Sequence, residues 1–191
     1  MISMKMKNFF QHLKTVCKHK FYVAKYCFKA GLYWQGLVHD LSKFSPTEFF
    51  ESVRYYQGTR SPIDACKEAN GMSMAWLHHK GRNKHHYEYW QDNFDKGTTH
   101  LTMPFKYALE MICDYLAAGN AYNGKKFTLQ NELEWWKNKT KNKIAMSNET
   151  FTFVDIMMNT MAKENNVDAI KRERAYNMYQ QVIKRNEKKE G

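Results

Sequence analysis

The sequence predicts an all-α protein, a single domain of about seven or eight helices spanning residues 1–191. Three observations lead there. Apolar residues recur at three- and four-residue steps through most of the chain, the period of a helix with one buried face. Only 9 glycines and 3 prolines interrupt the 191 residues, too few for a turn-rich sheet protein. The balance of 43% apolar to 26% charged residues suits a globular chain with enough length for one full core and too little for two.

The elements follow in order. Residues 5 to 29 read as a helix, because Phe9, His12, Val16, His19 and Val23 fall on one side. Gly31 breaks it, and a shorter helix through Trp34, Leu37, Val38 and Leu41 carries His39, Asp40 and Lys43 in its last turns. Ser45 can cap the next helix, with Pro46 at its first position and Glu48 where a capping box needs an acid. That helix runs to Gly58. Ser61 and Pro62 open another, which breaks near Gly71 and resumes through Met74 and Trp76 to His78 and His79.

Residues 80–95 are polar, aromatic and histidine-rich, with a helical stretch expected over 85–90. Residues 105–118 are apolar on nearly every side, which predicts a central helix with Asp114 as a buried acid. Three more helices are expected over 129–139, 149–162 and 167–183, before a charged, frayed tail from Lys184. No repeat or linker divides the chain.

The net charge of +11 attracts anions, and the seven lysines of residues 5–29 have no acidic residue among them. A nucleic-acid partner is possible, but no zinc finger, arginine-rich arm or RNP-like strand accompanies the charge. A small phosphorylated molecule explains it at least as well. No run of eighteen apolar residues is present, so no membrane partner is expected. Four scattered cysteines without a C-x-x-C pair read as reduced thiols, and the lysine-broken N-terminus is no signal peptide. Together these features predict a cytoplasmic location.

Seven of the eight histidines precede residue 87. A lone helical histidine is more often packed than ligating. Here, however, the chain holds His19, the pair His39 and Asp40, the pairs His78–His79 and His85–His86, and a core Asp114. Imidazole and carboxylate bind divalent ions, and helices hold such ligands rigidly. His19, His39, Asp40 and Asp114 would surround one ion and leave positions for water or substrate. A buried Asp114 needs a partner in any case, because an unpaired carboxylate is costly to bury.

The stretch VHDLSKF, residues 38–44, resembles the HDxGK signature of the HD-domain superfamily of metal-dependent phosphohydrolases. His19 stands where that superfamily has its leading histidine, and Asp114 in EMICDYLAAG where it has its closing aspartate. The segment HHKGRNKHHYEYW, residues 78–90, resembles the extra histidines of two-metal members. More closely, residues 10–125 are similar to an HD-like family of bacteria and phages, some of whose members are labelled catalase. Ser42 departs from the signature, in which glycine precedes the lysine.

The resemblance implies an HD-like helical domain with one or two divalent ions, and leaves iron, manganese, zinc, cobalt, nickel and magnesium equally admissible. The first ion would be held by His19, His39, Asp40 and Asp114. Asp40 would bridge to a second, held by one histidine of each pair. His79 and His86, seven residues apart, face alike if the intervening chain is helical, which Gly81 and Asn83 oppose.

Asp40 and Lys43 would be catalytic, and Lys43, His78, Arg82, Lys84 and His85 would bind substrate. The expected activity is hydrolysis of a nucleotide or other small phosphoester. An iron-dependent oxidative enzyme and a non-catalytic metal-stabilised binding protein are the alternatives. Tyr87, Tyr89 and Trp90 would either stack a nucleobase or pack the core.

Overall fold

The computed structural model describes residues 2–95, 97–142 and 144–190, with side chains from 6 to 185. Among the described residues it is an all-α domain with one short hairpin. In order come α1 (Ile2–Lys29), α2 (Tyr33–Val38), α3 (Pro46–Tyr55), α4 (Pro62–Asn70) and α5 (Met74–Arg82). The strands β1 (Gln91–Phe94) and β2 (Gly97–His100) precede α6 (Phe105–Asn123), α7 (Leu129–Thr140), α8 (Asn148–Glu164) and α9 (Arg172–Glu190). Four 3-10 turns lie between them. Apart from the stretch expected over 85–90, every expected helix has a counterpart, and the described residues hold nine α-helices.

The core is built around α6. Residues 108–117 are all buried on it, so neighbours must cover every side: α1 packs along one flank, with α7, α8 and α9 on the others. The shared cluster joins Val23 and Cys27 of α1, Ile112 and Leu116 of α6, Trp136 of α7, Phe153 and Met157 of α8, and Ala175 of α9. Helices α4 and α5 both pack on α3, and α3 also packs on α1, forming a second layer. The candidate site lies in the seam between this layer and α6.

Local signals end and start the elements. Gly31, at φ +69°, closes α1 in a Schellman motif: its N–H donates to Phe28 and that of Leu32 to Cys27. The chain then folds α2 back onto α1. Gly36 permits this, because a Cβ there would lie 3.0 Å from the Cys27 Cβ and the Phe28 ring. Ser45 caps α3 through its hydroxyl, which accepts from the Glu48 N–H, and Pro46 takes the first turn.

Four differences from the sequence reading have clear causes. His39 and Asp40 are not helical, since α2 stops at Val38 and Asp40 adopts φ 53°, ψ 27° before a 3-10 turn at Leu41–Phe44. Residues 83–86 are not helical either, and only Tyr87–Tyr89 form a 3-10 turn. The hairpin pairs Gln91 with His100 and Phe94 with Gly97. It lies mostly exposed, so it lacks the alternating apolar pattern that reveals a strand. The last helix begins at Arg172 because a 3-10 turn occupies Asp168–Ile170.

All four cysteines are free. No described helix is long and apolar enough to cross a membrane. The helix α9 continues to Glu190, while Gly191 and the tail's side chains from 186 lie outside the described residues.

Phe153 is fully buried, its ring edge-on to Tyr179 and tilted against Phe105. Replacing Phe153 by alanine should lower unfolding free energy by about 3–5 kcal/mol, read from urea denaturation. A loss under about 1 kcal/mol would contradict this packing role.

Candidate metal centre

His19 stands on the α1 face turned to α6, and Asp114 stands opposite it on α6. Helix α2 ends at Val38, and the chain leaving it crosses beside them, so that His39 and Asp40 face the pair. Lys20 fixes that crossing: its Nζ donates to the Leu37 carbonyl at 2.7 Å and to the His39 carbonyl at 3.0 Å. Asp40, one of two described non-glycine residues at positive φ, turns the chain there. Aspartate tolerates this left-handed conformation better than most residues, and such strain clusters at functional sites.

The result is two four-residue donor groups that share one residue, with a third set of His39, His85 and Glu110 joining them. His19, His39, Asp40 and Asp114 form the first, and Asp40, His79, His85 and His86 the second. Within each, the donor atoms lie within 4.8 Å of one another. Asp40 offers one oxygen to each side. Its Oδ2 lies 3.3 Å from His39 Nε2 and 3.7 Å from His19 Nε2, while its Oδ1 lies 3.3 Å from His79 Nε2 and 3.4 Å from His85 Nε2. Asp114 Oδ1 completes the first group, 3.0 Å from His19 and 3.5 Å from His39.

These donors fit a cation better than they fit one another. Nε2 of His19, His39, His85 and His86 and Oδ1 of Asp40 are buried without a hydrogen-bond partner, and Asp40 Oδ2 has the Lys43 ammonium beside it. Leaving so many polar atoms without hydrogen bonds is costly unless something else satisfies them. Donors held ~2.1 Å from a common ion lie about 3.0–3.4 Å apart, close to the spacing in the first group.

A second layer aims the rings. Glu110 Oε1 accepts from His39 Nδ1 at 2.9 Å, leaving His39 Nε2 to face Asp40. Glu48 is diverted from the capping box, its oxygens accepting from Nδ1 of His78 and of His79, each at 2.7 Å. Carboxylates behind imidazoles are the usual second layer of a metal site, because they fix the tautomer and strengthen the donor.

Charge in the site follows from this crowding. Burial alone would raise the Asp40 carboxyl, but His39, Lys43 and His79 outweigh it and hold it well below its ordinary range. Asp114 is likewise held low, because contacts with His19 and His39 overcome its burial. His39 keeps its proton well above the usual range: burial opposes this, and Asp40, Asp114 and Glu110 prevail. His86 is pushed well down by burial and then by His85 and His79. His85 is lowered by burial and by His39.

The remaining candidates separate. Lys43 Nζ lies 2.5 Å from Asp40 Oδ2 and lines a cavity with His19 and Asp114. His85, expected at the substrate, stands instead in the second donor group. His78 rests on Glu48 at the edge of the site, its side chain 22% exposed. Arg82 is exposed, and Lys84 extends over the Tyr89 and Tyr107 rings; neither lines the cavity. Tyr87 and Trp90 pack against the core, which removes them as a nucleobase platform.

His79 and His86 do converge, ring centroids 4.8 Å apart, through the turn at 83–86 and not through a continuous helix. Glu48, Glu110 and Lys20 were not anticipated from the sequence. Glu110 had a signal, since it precedes Asp114 by one helical turn and shares its face.

The matched family now adds to this geometry. The chain belongs to a family of unknown function (DUF5662). The match covers residues 8–161, from α1 into α8, and therefore includes every donor of both groups. No curated protein and no solved structure matches the chain.

A carboxyl with a depressed folded pKa contributes stability that is full above its unfolded value of 3.8 and is lost as pH falls through the folded value. In chelator, the protein should therefore lose stability to urea as pH drops below 3.8, and Asp114→Asn should flatten that limb. Equal steepness in both proteins would show that Asp114 is not held this way.

Proposed function

We propose that this protein is a metal-dependent phosphohydrolase that binds two divalent ions and acts on a nucleotide or other small phosphoester. The observation that carries the reading is Asp40, which turns one oxygen to each donor group while Lys43 stands beside it at the cavity wall. The resemblance to the HD-domain superfamily supports it, through the same His19, His39–Asp40 and Asp114.

His19, His39, Asp40 and Asp114 would hold the first ion, and Asp40, His79, His85 and His86 the second. Bound divalent ions acidify water and offset charge on phosphoryl oxygens. The hydrolysis itself breaks the ester P–O bond, forms a new P–O bond from water, and releases the alcohol with one of the water protons. Lys43 meets the phosphate. Its ammonium is stabilised because Asp40 and Asp114 outweigh the burial that would otherwise favour the neutral amine. Glu110 and Glu48 hold the rings of His39, His78 and His79 in place throughout.

The reading is tested by phosphate release from a broad panel of phosphoesters with manganese, iron, cobalt, nickel, zinc or magnesium. Turnover in at least one metal is expected. Stoichiometric metal without turnover in any would overturn the reading. Oxygen consumption by the iron-loaded protein would favour an oxidative enzyme instead.

Elemental analysis should find two ions in the wild type, one in His86→Ala and none in Asp40→Ala. Glu110→Gln should weaken metal binding about 10–100-fold in a chelator competition. Lys43→Met should keep both ions and lower kcat/KM by about 100-fold or more.

A further inference from the structure

The cavity next to the first donor group has a volume of about 190 Å³. Its two ends differ in chemistry. One is charged, made by His19, Asp114 and Lys43. The other is marked by His12, seven residues before His19 on the same face of α1 and so roughly 10 Å along the helix. His12 is 6% exposed, and its Nδ1 is buried without a hydrogen-bond partner. Phe49 and Tyr56 hold the ring edge-on or tilted, with centroids at 5.2 and 5.6 Å. The rest of the wall mixes the apolar Val16 and Ala121 with the polar Glu48, Ser52, Ser61 and Tyr122.

A buried imidazole without a partner is costly unless a ligand satisfies it. Burial first, and Lys43 second, push the His12 pKa down to about 4. The ring is therefore neutral near pH 7, with one nitrogen donating and the other accepting. Its free Nδ1 can donate to or accept from an uncharged hydroxyl, while the neutral ring gives a second anion no opposite charge.

Size narrows the ligand further. A cavity of about 150 Å³ takes a benzene-sized molecule, so this one takes roughly eight non-hydrogen atoms. That suits the phosphate ester of a short polyol better than a nucleoside phosphate, with Tyr122 as the one tyrosine on the wall.

We propose that this cavity holds the alcohol portion of a compact phosphomonoester, with His12 hydrogen-bonding a hydroxyl at the end remote from the phosphate. The proposal rests on the phosphohydrolase reading, and His12 is its specificity-determining residue.

Non-hydrolysable phosphonates test it by calorimetry on the full-length, manganese-loaded protein. Dihydroxybutyl phosphonate should bind about tenfold tighter than butyl phosphonate, which lacks the hydroxyls, and than an adenosine 5′-phosphonate. His12→Leu should bring the dihydroxybutyl-to-butyl ratio close to one, and His12→Gln, which keeps a donor and an acceptor, should restore much of it. Ala121→Leu, which fills the wall, should weaken dihydroxybutyl phosphonate relative to inorganic phosphate. Metal content checks the folding of each variant.

Equal or tighter binding of the adenosine compound, no binding of any phosphonate, or a ratio unmoved by His12→Leu would overturn the proposal. Selective binding without turnover of the matching ester would leave the pocket standing and remove the hydrolytic reading. Turnover of nucleotides in preference to polyol esters would do the reverse.

Discussion

The architecture turns on the electrostatics of one seam. Asp40 and Asp114 are buried carboxylates that face imidazole nitrogens, Asp114 Oδ1 at 3.0 Å from His19 and Asp40 Oδ2 at 3.3 Å from His39. Desolvating such groups is expensive unless positive charge is close by. The structure supplies some of it through Lys43, and it arranges the imidazole and carboxylate donors so that a divalent ion would satisfy them together. Burial, charge and donor geometry thus meet in clusters that could hold a metal ion.

Around that seam, other residues hold the donors rather than serve as donors themselves. Glu110 and Glu48 stand behind the rings of His39 and His79 and fix which nitrogen faces inward. Lys20 does comparable work on the backbone, gripping two carbonyls at the break where the strained Asp40 turns. The αL conformation costs about 1–2 kcal/mol, a cost the surrounding contacts must offset. It lets a single aspartate present its two oxygens to two different groups, which a helical Asp40 beside His39 would do less readily.

The two layers of the fold contribute differently. Helices α1 and α6 lie in the main core and place His19, Glu110 and Asp114 rigidly. Helices α3 and α5 and the turn after α5 bring Glu48, His79, His85 and His86 from the other side. The cavity opens where these layers meet, with His12 two helical turns from His19. A site built from both layers depends on their relative packing, as well as on its own donors.

The helices were legible in the sequence because each carries its own signal: a 3.6-residue apolar period, a serine cap, a glycine stop. The metal-ligand candidates were legible as well, since histidine and aspartate accumulate in the chain and HDLSKF stands out. The hairpin was not, because exposed strands need no apolar alternation. The roles of Glu48, Lys20 and His85 were not, because each depends on a neighbour 17 to 45 residues away. Local periodicity determined which segments are helical and which residues have ligand chemistry. Only the tertiary packing decided which of those residues meet, which nitrogen of each ring points inward, and that Asp40 stands between two groups, since those relations are set by contacts between segments that no single stretch of sequence contains.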